Sequence, residues 1–401
     1  MDGPGTAGAG LRIARQARGF SQQQLAGMAG VSRQAVSAVE AGHSDPSLRV
    51  ALALAQALGM SVEQLFGPGE PTAPVTAVSV APPAALGVGG QAAGERAAGE
   101  RVMLAPVGDR FVALPLRGDT GVGLGFLPAG GLAVPGGRIA PSGPSGPSGP
   151  SAPVAPPAAF EEIAVRPIGP PRPTVVVAGC DPALPLLATP LSLLDPPVAF
   201  AWWPCGSGEA LRLARAGLVH AAGVHAQTGN GDVGAGLPDG AEVVGFTAWR
   251  EGLAVRPDLR PVVTGLDAIA RRRLRIVNRE PGAEARRLLD RERARLRLDP
   301  ADLIGYDAEA AGHLQVASAV AAGLADAGVA SEPAARAYGL AFVPLAHERF
   351  NLVIPAEHTA SREVQALLRV LTSPWLLAQL ASIPGYDPSP CGERFTERRQ
   401  A

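Results

Sequence analysis

Hydrophobic positions change their spacing several times along the chain, and these changes divide the sequence into segments. Between residues 8 and 67 they recur every three to four residues with short breaks, which predicts several small helices. Residues 68–100 are rich in Pro, Ala and Gly without a period, which predicts a linker. Residues 101–137 hold short β-like runs between turn residues, so we expect a small β-rich segment there. Residues 138–160 repeat Pro, Ser and Gly, a composition typical of an extended spacer.

From residue 172 to residue 387, apolar runs alternate with helical periods. Residues 174–178 and 198–203 read as strands, and residues 209–216 and 283–296 read as helices. Such a βαβ succession predicts a mostly parallel sheet with helices on both faces. Ligands of these sheets bind beyond the carboxyl ends of the strands, so we expect a ligand-binding domain.

Composition limits the function classes. The net charge of −1 excludes a polycation, so any surface that binds nucleic acid must be local. The sequence shows neither a signal-peptide pattern nor an apolar run of about 18 residues, and we therefore expect a cytoplasmic protein with no membrane partner. The 3 cysteines are widely separated, which argues against a disulfide scaffold and a structural zinc site.

The first segment carries start and stop signals for helices. Ser21 and Ser32 precede apolar-periodic runs and are expected as N-caps of a second and a third helix. Gly30, between them, can take the positive φ that a tight turn requires. The core between the two helices is expected to contain Ala26, Val31, Val36 and Val39.

This segment resembles the lambda-Cro/repressor-like (XRE) helix-turn-helix family, on a pattern that runs from Gln22 to Gly42 and continues into Pro46-Ser47-Leu48. The resemblance implies a helical bundle that binds double-stranded DNA, with the start of the third helix in the major groove. Arg33 would pair with guanine and Gln34 with adenine, while Gln22 would offer its backbone N–H or its side chain to a phosphate. The residues expected to contact DNA are Gln22, Ser32, Arg33, Gln34 and Ser37.

The charge of this segment is weak for a DNA-binding protein. Residues 1–66 contain five arginines and four acidic residues, a net charge of +1. Because neutralisation of phosphates dominates affinity, we expect a homodimer to supply what one copy lacks. The alternative is a small helical module that binds another protein.

Three loops of the second region follow predicted strands and contain glycine: residues 179–181, 205–208 and 278–282. Glycine lets backbone N–H groups approach a ligand, and the N-terminus of a following helix favours an anion. The residues expected to bind a ligand are Asp181, Gly206, Ser207, Asn278, Arg279, Gly282 and Arg286. His220 and His225 fit either ligand contacts, metal ligands or buried structural histidines, and we predict no metal site.

These loops, with Gly217-x-x-His220 and the run from Ala317 to Gly328, resemble the periplasmic-binding-protein-like domain found behind helix-turn-helix modules. The resemblance implies two lobes of type II topology that close on a small anion or a molybdenum-related effector, molybdate or molybdopterin, with no resident cofactor. The family often continues after the glycine equivalent to Gly282 with Ser-Gly-Thr-Arg. Here Glu284 replaces a small residue, which should weaken anion binding.

The expected fold is therefore multidomain: an all-α helix-turn-helix bundle (8–67) and an α/β two-lobed effector domain (172–387). The corresponding function is a ligand-responsive DNA-binding transcriptional regulator rather than an enzyme, because no nucleophile, base and acid stand at a recognisable spacing. The alternatives are an enzyme or carrier that acts on a precursor of the molybdenum cofactor, and an antitoxin-like interaction protein.

Overall fold

The computed structural model describes residues 6–66, 73–80, 99–116, 126–138, 160–227 and 236–395. The chain forms two compact units, Met1–Ala73 and Pro74–Ala401. Nearly all of the predicted spacer 138–160 lies outside the described residues. No helix among the described residues is long and apolar enough to span a membrane.

The first unit is a bundle of short helices whose ends follow the predicted caps. The Ser21 hydroxyl accepts from the N–H of Gln24, the Ser32 hydroxyl accepts from the N–H of Ala35, and Gly30 takes a φ of 63°. The helices are α1 (Thr6–Ala17), α2 (Gln22–Ala29), α3 (Arg33–Glu40), α4 (Leu48–Leu58) and α5 (Val62–Phe66). The core contains Leu11, Leu25, Ala26, Val36, Val39, Leu54 and Leu58, and Val31 packs against it while partly buried.

The second unit begins with a closed five-stranded barrel in the order β1-β3-β2-β4-β5. Its strands are β1 (Val75–Ser79), β2 (Arg101–Val107), β3 (Arg110–Pro115), β4 (Gly131–Arg138) and β5 (Glu162–Pro167). The prediction that residues 68–100 form a linker is wrong for β1, because this strand pairs with β3 and β5 and closes the barrel. Ala77 faces the barrel core, whereas Val78 packs into a core shared with the sheet that follows.

The larger sheet has two long strands at its centre. Its strands are β6 (Thr174–Ala178), β7 (Ala199–Trp203), β8 (Ala221–Gln227), β9 (Glu242–Val255), β10 (Ile276–Arg279), β11 (Glu309–Ala310), β12 (Ala327–Ser331), β13 (Ala341–Ile354), β14 (Tyr386–Asp387) and β15 (Arg394–Phe395). The order is β11-β10-β12-β9-β13-β8-β6-β7, with β14 and β15 paired to β9. The outer pairs are parallel, but β12–β9, β9–β13 and β13–β8 are antiparallel. The prediction of a mostly parallel sheet is therefore wrong at the centre.

Two lobes share this sheet. Helices cover it at α6 (Ala188–Ser192), α7 (Ser207–Arg215), α8 (Leu266–Arg271), α9 (Glu284–Arg295), α10 (His313–Ala321), α11 (Glu332–Ala337), α12 (Arg362–Leu371) and α13 (Pro374–Ser382). The first half of β9 places Phe246 in one core, and its second half places Leu253 and Val255 in another. Strand β9 thus runs from one lobe into the other, and β13 pairs with it along its length.

Candidate functional site

The exposed face of α3 lies where the sequence places the DNA contacts. Ser32, Arg33, Gln34 and Ser37 are all exposed. Val36, on the opposite side of the same helix, is fully buried, which fixes the face that α3 turns to solvent. The four polar side chains are therefore free to meet a partner.

The Gln22 side chain forms a hydrogen bond within the bundle. Its side-chain amide donates to Glu40 at 2.9 Å, and the Arg15 guanidinium grips the same carboxylate at 2.6 and 3.0 Å. Burial would raise the pKa of Glu40, but the hydrogen bonds from Arg15 and Gln22 outweigh it and lower that pKa. One N–H of the Gln22 side chain is thus bonded within the bundle, and a contact of Gln22 with a phosphate, through its backbone N–H or its side chain, stays a prediction.

The predicted ligand contact Asp181 is a structural residue in this fold. It is fully buried and accepts hydrogen bonds from the Ala183 N–H at 2.8 Å, the Thr247 hydroxyl at 2.7 Å and the Tyr386 hydroxyl at 2.5 Å. Three donors occupy the carboxylate, so the prediction that it contacts a ligand is wrong. Asp181 instead ties the end of β6 to β9 and β14.

Gly206 and Ser207 lie at the start of α7, where the sequence analysis put them. The Ser207 hydroxyl oxygen accepts from the His225 backbone N–H at 3.1 Å, and the hydroxyl keeps its own hydrogen to donate. A Cβ on Gly206 would lie 3.3 Å from a carboxylate oxygen of Glu280, so this loop faces the loop after β10 in the other lobe.

The predicted residues after β10 are held by other protein groups. Both Arg279 hydrogen bonds to Glu280 measure 2.8 Å, and Asn278 bonds to the Tyr306 carbonyl and the Arg279 N–H. Arg286 donates to the Arg279 carbonyl and to Glu309, both at 2.9 Å. Gly282 takes a φ of 92°, which a tight turn before α9 requires. Neither arginine is unpaired, in contrast to the prediction that they bind an anion.

The two histidines singled out in the sequence have different roles. His220 Nδ1 accepts from the Val176 N–H at 3.0 Å, and burial, aided by His358, lowers the pKa of His220 to about 3. It is a neutral structural histidine. His225, in contrast, lies beside a thiol, a second imidazole and two carboxylates.

A thiol and two imidazoles meet at the floor of the cleft between the lobes. His225 Nε2 lies 2.9 Å from Cys180 Sγ, and His313 Nε2 lies 3.8 Å from the same sulfur. His313 Nδ1 accepts from the Ser331 N–H, so its proton is on Nε2 and points to the sulfur. Cys180 and His313 are 133 residues apart in the chain, so their spacing in the sequence gives no sign of this contact.

Two carboxylates lie on the other side of the His225 ring. Glu251 and Glu348 approach His225 Nδ1 at 3.6 and 3.8 Å, and both are fully buried. All four of their oxygens and His225 Nδ1 lack a hydrogen-bond partner. Trp249 and Phe350 pack edge-on against the His225 ring at 5.4 and 5.5 Å and fix its plane.

The electrostatics of this cluster follow from burial and mutual charge. Burial would lower the pKa of His225, but the Cys180 sulfur and the two carboxylates outweigh it and raise that pKa well above its ordinary value. Burial raises the pKa of Glu348, and Glu251 adds to the effect. Burial lowers the pKa of His313 well below its ordinary value.

A cavity of about 200 Å³ opens beside the cluster. Its wall includes Cys180, Trp202 and Cys205 from one lobe and Gly312 and His313 from the other. A small molecule that entered here would touch both lobes, which is the geometry that ligand-driven closure requires.

Comparison with known proteins agrees with this division. A helix-turn-helix family model matches residues 11–65, and the chain is 39% identical over 56 residues to the uncharacterised HTH-type transcriptional regulator MJ0272 of Methanocaldococcus jannaschii, covering 85% of that protein and 14% of this chain. The chain belongs to the helix-turn-helix family. A model of the PBP superfamily domain matches residues 188–372, so the family's DNA-binding bundle is joined here to a periplasmic-binding-protein-like domain.

The second domain also has relatives. The chain is 32% identical over 148 residues to the uncharacterised protein YvgK of Bacillus subtilis, which is 37% of this chain and 47% of YvgK. It therefore spans about half the length of that relative. Among solved structures, the tungstate ABC transporter protein of Geobacter sulfurreducens is similar at 15% identity and a TM-score of 0.41, covering 52% of this chain and 97% of that one.

Proposed function

We propose that this protein is a homodimeric transcriptional regulator that binds DNA through α3 and responds to a small effector bound in the cleft of its second unit. The observation that carries the proposal is the pairing of an exposed polar helix face, Ser32 to Ser37, with a cavity whose wall comes from two lobes. A DNA-reading helix needs the first, and a ligand-driven change of shape needs the second.

The DNA contacts are tested with Arg33→Ala and Gln34→Ala in the full chain. Each should weaken specific binding by about 1–3 kcal/mol because each removes a side chain that reaches base edges. An operator is first selected from genomic fragments, and binding is then followed by fluorescence anisotropy at fixed salt.

Gln56→Ala is the matched control, since Gln56 is an exposed glutamine on α4 of the same bundle. It should leave operator affinity unchanged. Equal affinity in wild type, Arg33→Ala and Gln34→Ala would overturn the assignment of α3 as the reading helix.

The effector we propose is a small anion, with molybdate as the first candidate. Helices α7, α9 and α10 begin at this edge of the sheet after Gly206, Ala283 and Gly312. In none of the three does a side chain of the N-cap residue accept a hydrogen bond from the first turn of the helix. Their N–H groups and the Ser207 hydroxyl are donors suited to an anion. Arg279 and Arg286 are already paired, so we expect modest affinity.

Calorimetry of the full chain with molybdate, tungstate, sulfate and molybdopterin tests this effector class. Ser207→Ala should weaken the binding, whereas Ser382→Ala, at an exposed serine of α13, should not. Absence of heat from all four compounds would reject the anion and leave the DNA assignment to its own test.

A further inference from the structure

We propose that the floor of the cleft binds a divalent first-row transition-metal ion through His225 Nδ1 and the carboxylates of Glu251 and Glu348. This proposal rests on the proposed function in that it names what the effector domain holds. Binding of the metal is measured without DNA, so the two proposals can fail separately.

The spacing of the three groups is that of metal ligands. His225 Nδ1 lies 3.6 Å from Glu251 and 3.8 Å from Glu348, and the three ligand atoms lie within 4.8 Å of one another. These distances are too long for hydrogen bonds. Ligands held about 2.0–2.2 Å from one tetrahedral ion are about 3.3–3.6 Å apart, so a small contraction would close the site.

The buried charge calls for a cation. Glu251 and Glu348 are fully buried, and none of their four oxygens has a hydrogen-bond partner. Among the described arginines, Arg279 is close enough to Glu251 for the two charges to interact, but its guanidinium already donates two hydrogen bonds to Glu280. A protonated His225 offsets at most one of these two buried charges, whereas a divalent ion neutralises both at once.

The His225 ring is oriented for this role. Once a bound metal has displaced the proton from Nδ1, the ring donates from Nε2 to Cys180 Sγ, 2.9 Å away, and the Nδ1 lone pair faces the two carboxylates. A metal-binding histidine is generally held in this way by an acceptor on its other nitrogen. The edges of Trp249 and Phe350 keep the ring in this plane.

The thiol side of the cluster is the weaker alternative. Cys180, His225 and His313 also lie close enough to share an ion. His313, however, accepts from the Ser331 N–H through Nδ1, so its Nε2 carries a hydrogen and has no lone pair for a metal. Cys180 and His313 therefore form the surroundings of the ion rather than its ligands.

The position of the site links the metal to the lobes. His225 is on β8, Glu251 on β9 and Glu348 on β13, three neighbouring strands of which two continue into the second lobe. A bound ion would also supply the positive charge that Arg279 and Arg286, both paired, do not offer to an anionic effector.

The first experiment measures Zn²⁺ binding to the metal-free full chain by competition with a chromophoric chelator. Wild type should bind one ion per chain, and Glu251→Gln, Glu348→Gln and His225→Gln should each weaken binding by at least about 100-fold. Glu357→Gln and His347→Gln replace exposed residues of the same domain and should bind as wild type does. Equal binding by wild type and the three site variants would overturn the proposal.

Thermal unfolding separates loss of binding from loss of folding. Without metal, Glu251→Gln and Glu348→Gln should still melt cooperatively, because each keeps the size of the side chain and leaves one carboxylate facing His225. Added Zn²⁺ should raise the wild-type melting temperature and not theirs. Variants that unfold cooperatively and are stabilised by Zn²⁺ as strongly as wild type would contradict the proposal.

Cobalt substitution identifies the ligand atoms. The Co²⁺ protein should show visible d–d bands without a sulfur-to-cobalt charge-transfer band, since the ligands are nitrogen and oxygen. A charge-transfer band that disappears in Cys180→Ser and persists in Cys205→Ser would place the ion on the thiol side and reject the assignment.

Discussion

Removing the carboxylate of Glu40 should unfold the DNA-binding unit. Glu40 receives two hydrogen bonds from Arg15 and one from Gln22, and the ion pair is nearly buried, with side-chain exposures of 11% for Arg15 and 3% for Glu40. In Glu40→Ala the guanidinium remains in the same place and loses its counter-charge.

The magnitude follows from the burial of the pair. Breaking a buried pair by removing one partner costs about 3–5 kcal/mol. A unit of about 60 residues has about 3–9 kcal/mol of total stability, at about 0.05–0.15 kcal/mol per residue. The substitution therefore removes most or all of the stability of this unit.

The assay uses two signals that separate the units. All 4 tryptophans, at positions 202, 203, 249 and 375, belong to the second unit, so their fluorescence reports on that unit alone. Glu40→Ala should lose operator binding and part of its helical circular dichroism, while the tryptophan unfolding curve in urea stays that of wild type. The double variant Arg15→Met, Glu40→Met should recover much of the loss, because it leaves no unpaired charge. A loss of stability below about 1 kcal/mol in Glu40→Ala would refute the reasoning, because a loss that small is typical of solvent-exposed ion pairs.

Three further substitutions test the second unit. Asp181→Ala should lower its stability by about 3–5 kcal/mol in urea unfolding, since three buried donors lose their acceptor, and a loss below about 1 kcal/mol would contradict this role. The pKa of His220 in the folded protein is about 3, below its ordinary 6.5. The stability of the second unit should therefore be full above pH 6.5 and fall by about 2 kcal/mol by pH 5. His220→Gln should lack this part of the decline, and identical pH profiles of the variant and wild type would refute it. Gly223→Ala would place a methyl group against the Phe350 ring and should destabilise the unit by about 1–3 kcal/mol while weakening Zn²⁺ binding, and unchanged melting would show that the ring moves freely.

Local signals explain what the sequence predicted well. Ser21 and Ser32 cap α2 and α3 as expected, because a capping hydroxyl bonds to an N–H only three residues away. Helix α9 begins at Glu284, one residue from its predicted start. Helix caps and helix starts depend on residues that are close together in the chain, so they can be predicted from a single sequence.

The centre of the sheet was harder to predict because its determinants are distant. Strands β9 and β13 each run for 14 residues, and neither was predicted at that length. Glu348 interrupts the apolar pattern of β13, as Glu251 does that of β9, and a charged residue at an inward position looks like the end of a strand. That interruption was the available signal, because a charged residue at an inward-facing position is rare and depends on a specific partner.

The same reasoning separates the two kinds of buried acid in this cleft. Asp181 was predicted as a ligand contact because it follows a strand, yet three donors satisfy it and it serves the fold. Glu251 and Glu348 were not singled out, and neither oxygen of either carboxylate receives a hydrogen bond. Position at a strand end identified the right edge of the sheet, but only the inventory of hydrogen bonds tells which residue there has capacity left for a ligand. If an ion binds Glu251 and Glu348, it should also stabilise the fold, because it neutralises negative charge that is buried in the empty protein.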